Sequence, residues 1–387
     1  MKKFFLMLAF VALCISTTTA QKPIPHAVGI STKSTTTRTE IILPQVKGYN
    51  CYKGDFHVHT TYSDGRLNPA ARVIEAWLDG LDIVAITDHY EHHSGVRNML
   101  KTISMKDSTV INYKMAKVSH NKIHEEAVSQ LKKSGYPMLL VKGGEITRKP
   151  EDVGHFNLLF LSDIDAAFDK DPAEALRKAK AQGGIVIHNH PAWRRKTSDK
   201  TEFHEQVYGE GLVDGVEVIN GRTFYPHIVR RCIDENLTMF ANTDEHSLTD
   251  ARFDEAGVFR TMTIVLAEEL TEAAVKEAIL QRRTIAYSCG YLVGEESWLN
   301  EFVNAAVDCR VTSVDEKKRM VRLTNTSSIL LNLRRGKTIH VLEPFQSIMV
   351  SLYANKETGE HSAPVFHVDN MWHTDYQHPK IELTIDE

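Results

Sequence analysis

The chain has 387 residues, 42% of them hydrophobic and 25% charged, with a formal net charge of −4. That length accommodates one large α/β domain and a small second one. The acidic balance argues against a broad nucleic-acid-binding surface, which needs a basic excess, but is compatible with a small anionic substrate held by local charge.

The first element is an address. Lys2 and Lys3 precede an apolar run, Phe4 to Ile15, that is too short to span a bilayer, and Thr18-Thr19-Ala20 offers small residues for cleavage. A cleaved leader over residues 1–20 is expected, with a mature protein that begins at Gln21 and is periplasmic or secreted. Removing Lys2 and Lys3 takes the net charge from −4 to −6. Leu13 stands before Cys14 where a lipoprotein signal has a small residue, which argues against a lipid anchor. No later stretch is apolar over enough residues to be transmembrane. The other cysteines, Cys51, Cys232, Cys289 and Cys309, include no Cys-x-x-Cys pair, so a thiolate zinc site is not expected and disulfide pairing stays open. Residues 21–47, with Ser31-Thr32-Lys33-Ser34-Thr35-Thr36-Thr37, read as a linker or N-terminal arm.

A first strand is expected near Tyr52, running into Asp55-Phe56-His57-Val58-His59 and then Ser63-Asp64-Gly65. Alternation along a strand puts His57 and His59 on one side. Asn68 and Pro69 then open a helix with Ala70, Val73, Ile74, Trp77 and Leu78 on its apolar face and Gly80 at its end. Ile86-Thr87-Asp88-His89 closes a second apolar run. The segment from Glu91 to Gly135 has no clear period apart from helical character over 114–133, and reads as a rim loop or a solvated crossover. His92 and His93, just past the second run, read as surface residues. Met138 to Gly144 runs into Glu145, and His155 opens the run to Phe160. Asp171-Pro172 opens a helix with Leu176 and Ala179 inward and Gly183-Gly184 closing it. Gly184 to Ile187 runs into His188-Asn189-His190-Pro191. Val216 to Gly221 leads to Arg222, and Leu237 to Thr243 leads to Asp244-Glu245-His246. Thr271 caps a further helix that buries Ala274, Val275, Ala278 and Ile279. Alternating strands and helices indicate an α/β barrel. Ligand-type residues at successive strand ends place a metal site at the C-terminal mouth of that barrel.

From about Val303 the texture changes to short alternating or apolar runs, such as Ile329 to Leu333 and Ile348 to Val350, separated by turn clusters. This predicts a small antiparallel β-sandwich over 303–387 after a barrel over 48–302. Trp372, His373 and Asp375 form a weak cluster that reads as surface or interface. Packing against the barrel, with a part in homo-oligomer formation or substrate access, is the expected role of this region.

His-x-His followed by Ser-Asp-Gly, then Thr-Asp-His, Gly-Gly-Glu, Asn-His-Pro and Asp-x-His, in this order over residues 48–297, resembles the PHP (polymerase and histidinol phosphatase) domain. Within that family the chain is most similar to exported bacterial phosphodiesterases with a C-terminal β domain. The resemblance implies a distorted (β/α)7 barrel, phosphoester hydrolysis, and two or three divalent metal ions (Mn, Zn or Fe). It assigns His57, His59, Glu145 and Asp244 to one ion, with Glu145 bridging to a second held by His155 and His190. Asp64, His89 and His246 hold a third. Asp64 stands where some relatives have His, which favours a harder ion there. Three such ions with three carboxylates and a bridging hydroxide leave a formal charge of about +2, able to attract a phosphate ester and supply hydroxide near neutrality. Glu145 and Asp244 thereby belong to the catalytic set.

Other roles are read from position. Arg194 and Arg222 follow strand ends and are candidates to fork onto phosphate oxygens, with an exposed ion-pair partner as the alternative; Arg195 neighbours the first. His188 is either an acid for the leaving group or a buried structural residue. Asp88 is expected to orient a ligand histidine. The leading expectation is an exported metal-dependent phosphoesterase for small phosphodiesters. The alternatives are a phosphomonoesterase for a sugar or amino-alcohol phosphate, a nuclease, and a non-catalytic metal- or ligand-binding module. The intact ligand set argues against the last.

Overall fold

The computed structural model describes residues 37–92, 119–249, 253, 258–355 and 357–385. The leader with Cys14, most of the arm, and most of the 91–135 segment with His93 lie outside the described residues.

Seven strands form a ring. They are β1 (Asn50–Val58), β2 (Ile83–Ile86), β3 (Leu139–Thr147), β4 (His155–Leu159), β5 (Ile185–Asn189), β6 (Gly215–Asn220) and β8 (Thr238–Asn242). All neighbouring pairs are parallel except those of β4, which runs antiparallel to both β3 and β5. The ring closes where β8 meets the end of β1, through Asp244 N to His57 O (2.9 Å) and His59 N to Glu245 O (3.1 Å). This is the distorted barrel expected from the sequence. The reversal of β4 explains why His155 opens its apolar run while the other candidates close theirs. In an antiparallel strand, the N-terminal residue lies at the mouth where its neighbours end.

The sheet continues past the ring. β9 (Met262–Ala267) pairs with the first half of β1, followed by β10 (Thr284–Ser288), β11 (Tyr291–Gly294) and β18 (Met371–Trp372). On the other flank β7 (Thr223–Phe224) makes a hairpin with β6.

The helices form for the local reasons anticipated. Asn68 accepts from Ala71 N at 2.8 Å ahead of helix Pro69–Leu78, and Asp171 accepts from Ala173 N at 3.0 Å ahead of helix Pro172–Ala181. Thr271 caps helix Glu272–Leu280, which buries Val275, Ala278 and Ile279. Helix His120–Ser134 ends on Gly135 at φ +67°, a left-handed stop that suits glycine. One detail differs from expectation. The inward face of the first helix includes Arg72, almost fully buried, while Ile74 and Trp77 are only partly covered.

After helix Glu296–Ala306 come two antiparallel sheets. One is β12 (Val307–Val314), β13 (Lys318–Asn325) and β16 (Ser347–Tyr353). The other is β15 (Thr338–Leu342), β14 (Leu331–Arg335), β17 (Val365–Val368) and β19 (Lys380–Glu382). Their inward residues Leu323, Val350, Leu331, Leu342 and Phe366 share one apolar cluster with Val73, Ile264, Leu292 and Phe302 of the barrel region. Ile41 and Val46 enter the same cluster, so the last residues of the expected arm are packed, and Arg38 pairs with Asp82 at 2.7 Å. The four cysteines after Cys14 form no disulfide with one another, and three of them are buried. No helix among the described residues is long and apolar enough to cross a membrane.

Candidate metal centre

The nine expected ligands converge at the mouth of the ring. His57 Nε2 lies 3.1 Å from His59 Nε2, 3.3 Å from Glu145 Oε1 and 3.2 Å from Asp244 Oδ1. Glu145 is fully buried and also meets His89 Nδ1 at 2.5 Å, His155 Nδ1 at 3.2 Å and His190 Nε2 at 3.7 Å. Asp244 reaches His59 Nε2 at 3.1 Å. Asp64 reaches His246 Nε2 at 3.1 Å and His89 Nε2 at 3.4 Å.

Three overlapping groups have donor atoms close enough to share an ion: His57, Glu145 and His190; His57, His59 and Asp244; and His59, Asp64, His89 and His246. The expected division placed His59 only with the first ion. Here its ring also faces the Asp64 group, stacked on His246 with centroids 4.2 Å apart. His155 stands outside these groups and meets the centre through Glu145.

The donor chemistry fits transition-metal ions. His57 Nδ1 is held by the buried Glu217 carboxylate at 2.8 Å, so Nδ1 carries a proton and Nε2, turned toward the other donors, is the nitrogen that would meet an ion. Two imidazole nitrogens 3.1 Å apart and ringed by carboxylates make a place for a cation. The electrostatics agree. Burial opposes charge on His57, but Asp244, Glu217 and Glu145 outweigh it and raise the ring well above the usual histidine range. His89 is likewise pushed up to about 10 against its burial, by Glu145 and Asp64. Burial opposes ionisation of Glu145 and Asp244 too, yet the surrounding imidazoles hold both carboxyls low.

A supporting layer fixes these side chains. Glu217 also accepts from His190 N at 2.7 Å and from Asn220 and Asn242. Thr147 Oγ1 is 2.6 Å from His89 Nδ1, and Asn189 Nδ2 donates to Glu145 Oε1 at 2.8 Å. Arg72 donates to the carbonyls of His59 (2.9 Å) and Glu245 (2.8 Å). Neither Glu217 nor Arg72 was singled out from the sequence. The available signal for Glu217 was a carboxylate inside the apolar run Val216 to Ile219; for Arg72 it was a charge on the inward face of a helix. Asp88, expected to orient a histidine, accepts instead from Thr60 N, Thr60 Oγ1 and the Ser63 hydroxyl, and touches His59 only through Ser63. His190 and Asp244 both have positive φ (26° and 53°), an uncommon backbone state concentrated at functional sites.

The centre opens into a pocket of about 290 Å³ lined by Asp64, His89, His155, His190, Trp193, Asn220, Thr243, Asp244 and His246. The expected substrate groups fall around it differently. Arg194 stacks on Trp193, its guanidinium carbon 4.4 Å from the ring centroid. Arg195 is tied to the carbonyls of Pro191 and Asp199. Arg222 is an exposed residue of the β6–β7 turn. His92 comes within 4.0 Å of Asp64. His188 is turned away from the pocket, bonded to Tyr208 Oη at 2.8 Å, stacked on Phe156 and tilted against His204. Burial and neighbouring cationic groups hold it well below the usual histidine range, a setting that fits the structural reading.

Barrel topology and a mouth crowded with imidazoles and carboxylates define a metal-dependent hydrolase. Among solved structures, the chain is similar to a two-domain protein from Bacteroides vulgatus containing a predicted PHP-like metal-dependent phosphoesterase. The identity is 32% and the TM-score 0.78, over 89% of this chain and 98% of that one. The chain belongs to the PHP family of metal-dependent phosphoesterases and is a phosphoric ester hydrolase. A metal-dependent phosphoesterase candidate from Bifidobacterium adolescentis aligns over 59% of this chain and 96% of its own at 18% identity and a TM-score of 0.37, a level that carries no argument. No family model and no curated protein matches the chain.

Proposed function

We propose that the protein is an exported phosphodiesterase acting on small phosphodiesters, with His57, His59, Asp64, His89, Glu145, His155, His190, Asp244 and His246 holding two or three divalent ions. The observation that carries the diester reading is the lining of the pocket. Among the described residues it contains imidazoles, two carboxylates, Asn220, Thr243 and Trp193, but no guanidinium or ammonium group. A monoester dianion is better served by a converging pair of guanidiniums. A diester carries one negative charge and a second organic group, which Trp193 can face. The divalent ions, when bound, supply hydroxide near neutral pH and positive charge for the phosphoryl oxygens.

The chain's own residues prepare that chemistry. Glu217 fixes the His57 tautomer, Glu145 and Asp244 draw the imidazoles into register, and Thr147 orients His89. Asn220 lines the pocket with its Nδ2 donating to Glu217 Oε2 at 2.8 Å and to Asp244 Oδ2 at 3.4 Å, which steadies both carboxylates. Arg194, at the rim, adds long-range attraction for an anion.

Comparing kcat/KM for matched aryl mono- and diesters on protein loaded with Mn, Zn or Fe tests the reading. Diesters are expected to be faster. A monoester preference that weakens on removing Arg194 or Arg222 would overturn it. For export, mass spectrometry is expected to find a mature N-terminus at Gln21, and a lipid on Cys14 would refute the leader assignment.

A further inference from the structure

We propose that Trp193 selects esters whose organic group is a flat aromatic ring, and that it does so as the apolar contact surface of the pocket. This rests on the phosphoesterase reading of the site. Of the nine lining residues, four are histidines and two aspartates, and Asn220 and Thr243 are polar as well. Among the described residues, Trp193 therefore supplies the broad apolar surface beside the centre. A substituent that hangs from a phosphorus atom held at the ions has, among these residues, the indole as its apolar contact.

The indole is placed, not stray. Trp193 N donates to His190 O at 2.8 Å and Arg195 N to Ala192 O at 3.0 Å, closing a turn directly after the strand end that carries His190. The Arg195 guanidinium ties both ends of the following loop, to Pro191 O and Asp199 O. The ring packs against His155 and His190, with centroids 5.3 Å away in each case. Arg194 backs it as a cation over the ring. Yet Trp193 keeps 40% of its surface exposed, in a molecule that buries most of its large apolar side chains. A core role does not explain an indole held rigidly at the mouth of a polar pocket; a contact surface for a ligand does. Stacking tolerates any π face, whether a simple aryl group or a nucleobase, and gains little from a small alkyl group.

The test compares binding of phenylphosphonate, methylphosphonate and inorganic phosphate to the metal-loaded protein by calorimetry, so that it does not depend on turnover. The wild type is expected to bind phenylphosphonate roughly tenfold to a hundredfold tighter than methylphosphonate. Trp193→Ala is expected to remove that gap while keeping metal content and the affinity for methylphosphonate and phosphate. Trp193→Phe is expected to restore most of it. Kinetics with nucleoside and nitrophenyl diesters then separate the two sources of the ring. If Trp193→Ala weakens all three ligands equally, or leaves the gap intact, the Trp193 assignment fails while the phosphoesterase reading stands. If the loaded wild type binds none of the three and hydrolyses no ester, both fail together.

Discussion

His188 and His190 stand two residues apart and both are buried, yet they sit in opposite electrostatic settings. His188 faces Phe156, His204 and Tyr208, with Arg231 and Arg195 nearby, and burial and those cations hold it well below the usual histidine range. His190 faces Glu145, Asp244 and Glu217, which overcome an equal burial and raise it. The same division separates His204, lowered to about 4 by burial, from His89, raised to about 10. Burial alone pushes every one of these rings toward neutrality. The carboxylates raise His57, His89 and His190, but not every ring of the centre: His59, beside Asp244, is lowered to about 4 by burial and by His89 and His246.

The sharpest way to break this contrast is Glu145→Gln, which leaves shape but removes the charge shared by His57, His89, His155 and His190. Activity is expected to fall by ~10³-fold or more, equivalent to about 4 kcal/mol of transition-state stabilisation, with loss of bound metal and an unchanged circular dichroism spectrum. Normal turnover and metal content in this variant would dismiss the bridging assignment. Chelation should come next in size. Ions present at a hundred times their Kd stabilise by about 2.7 kcal/mol, so stripping them should lower Tm by several degrees, and scanning calorimetry before and after re-addition checks it.

Glu217→Gln probes the layer behind the ligands. It weakens the hold on His57 Nδ1 without emptying the space, and should cost about tenfold to a hundredfold in metal affinity. Competition with a fluorescent chelator measures that, and unchanged affinity would make Glu217 purely structural. The smallest effect belongs to the other histidine group. His204 accepts from Thr201 N at its Nδ1 and donates from Nε2 to Val153 O, so it is held neutral. With its folded pKa near 4 and an ordinary value near 6.5, the unfolded chain takes up the proton first as pH falls. Its contribution to stability is therefore full above about 6.5 and is lost on going down to about 4. His204→Gln keeps the reciprocal cap with Thr201 and removes the titration, so wild type should lose more stability than the variant between those two pH values in paired denaturant titrations. Parallel pH dependences would exclude this role.

Much of the site was legible because its residues interrupt apolar runs where such runs end. His57, Glu145, Asp244 and His246 could be found that way, and the helix caps at Asn68, Asp171 and Thr271 were equally local. What was hidden depends on contacts distant in sequence. The inward turn of Arg72 has meaning only once His59 and Glu245 are brought together, and Asp88 holds the Thr60–Ser63 loop and reaches His59 indirectly, through the Ser63 hydroxyl. The two-residue period suggested that His188 could share a face with His190. It fails there because β5 stops at Asn189 and His190 turns to φ 26°. The flanking strands β7 and β18 are two residues each, too short for any periodic signal.

The seam where the ring closes has a mechanical consequence. Asp244 N and His59 N make the backbone bonds that clasp β8 to β1, and the side chains of the same two residues meet in the candidate centre. An ion held by His59 and Asp244 would act as a buckle on that clasp, tying the first strand of the ring to the last, while Arg72 braces the same seam through the carbonyls of His59 and Glu245. Amide exchange at His59 and Asp244 should then report occupancy directly, slowing when the buckle is fastened and quickening across the seam, ahead of the rest of the barrel, when it is released.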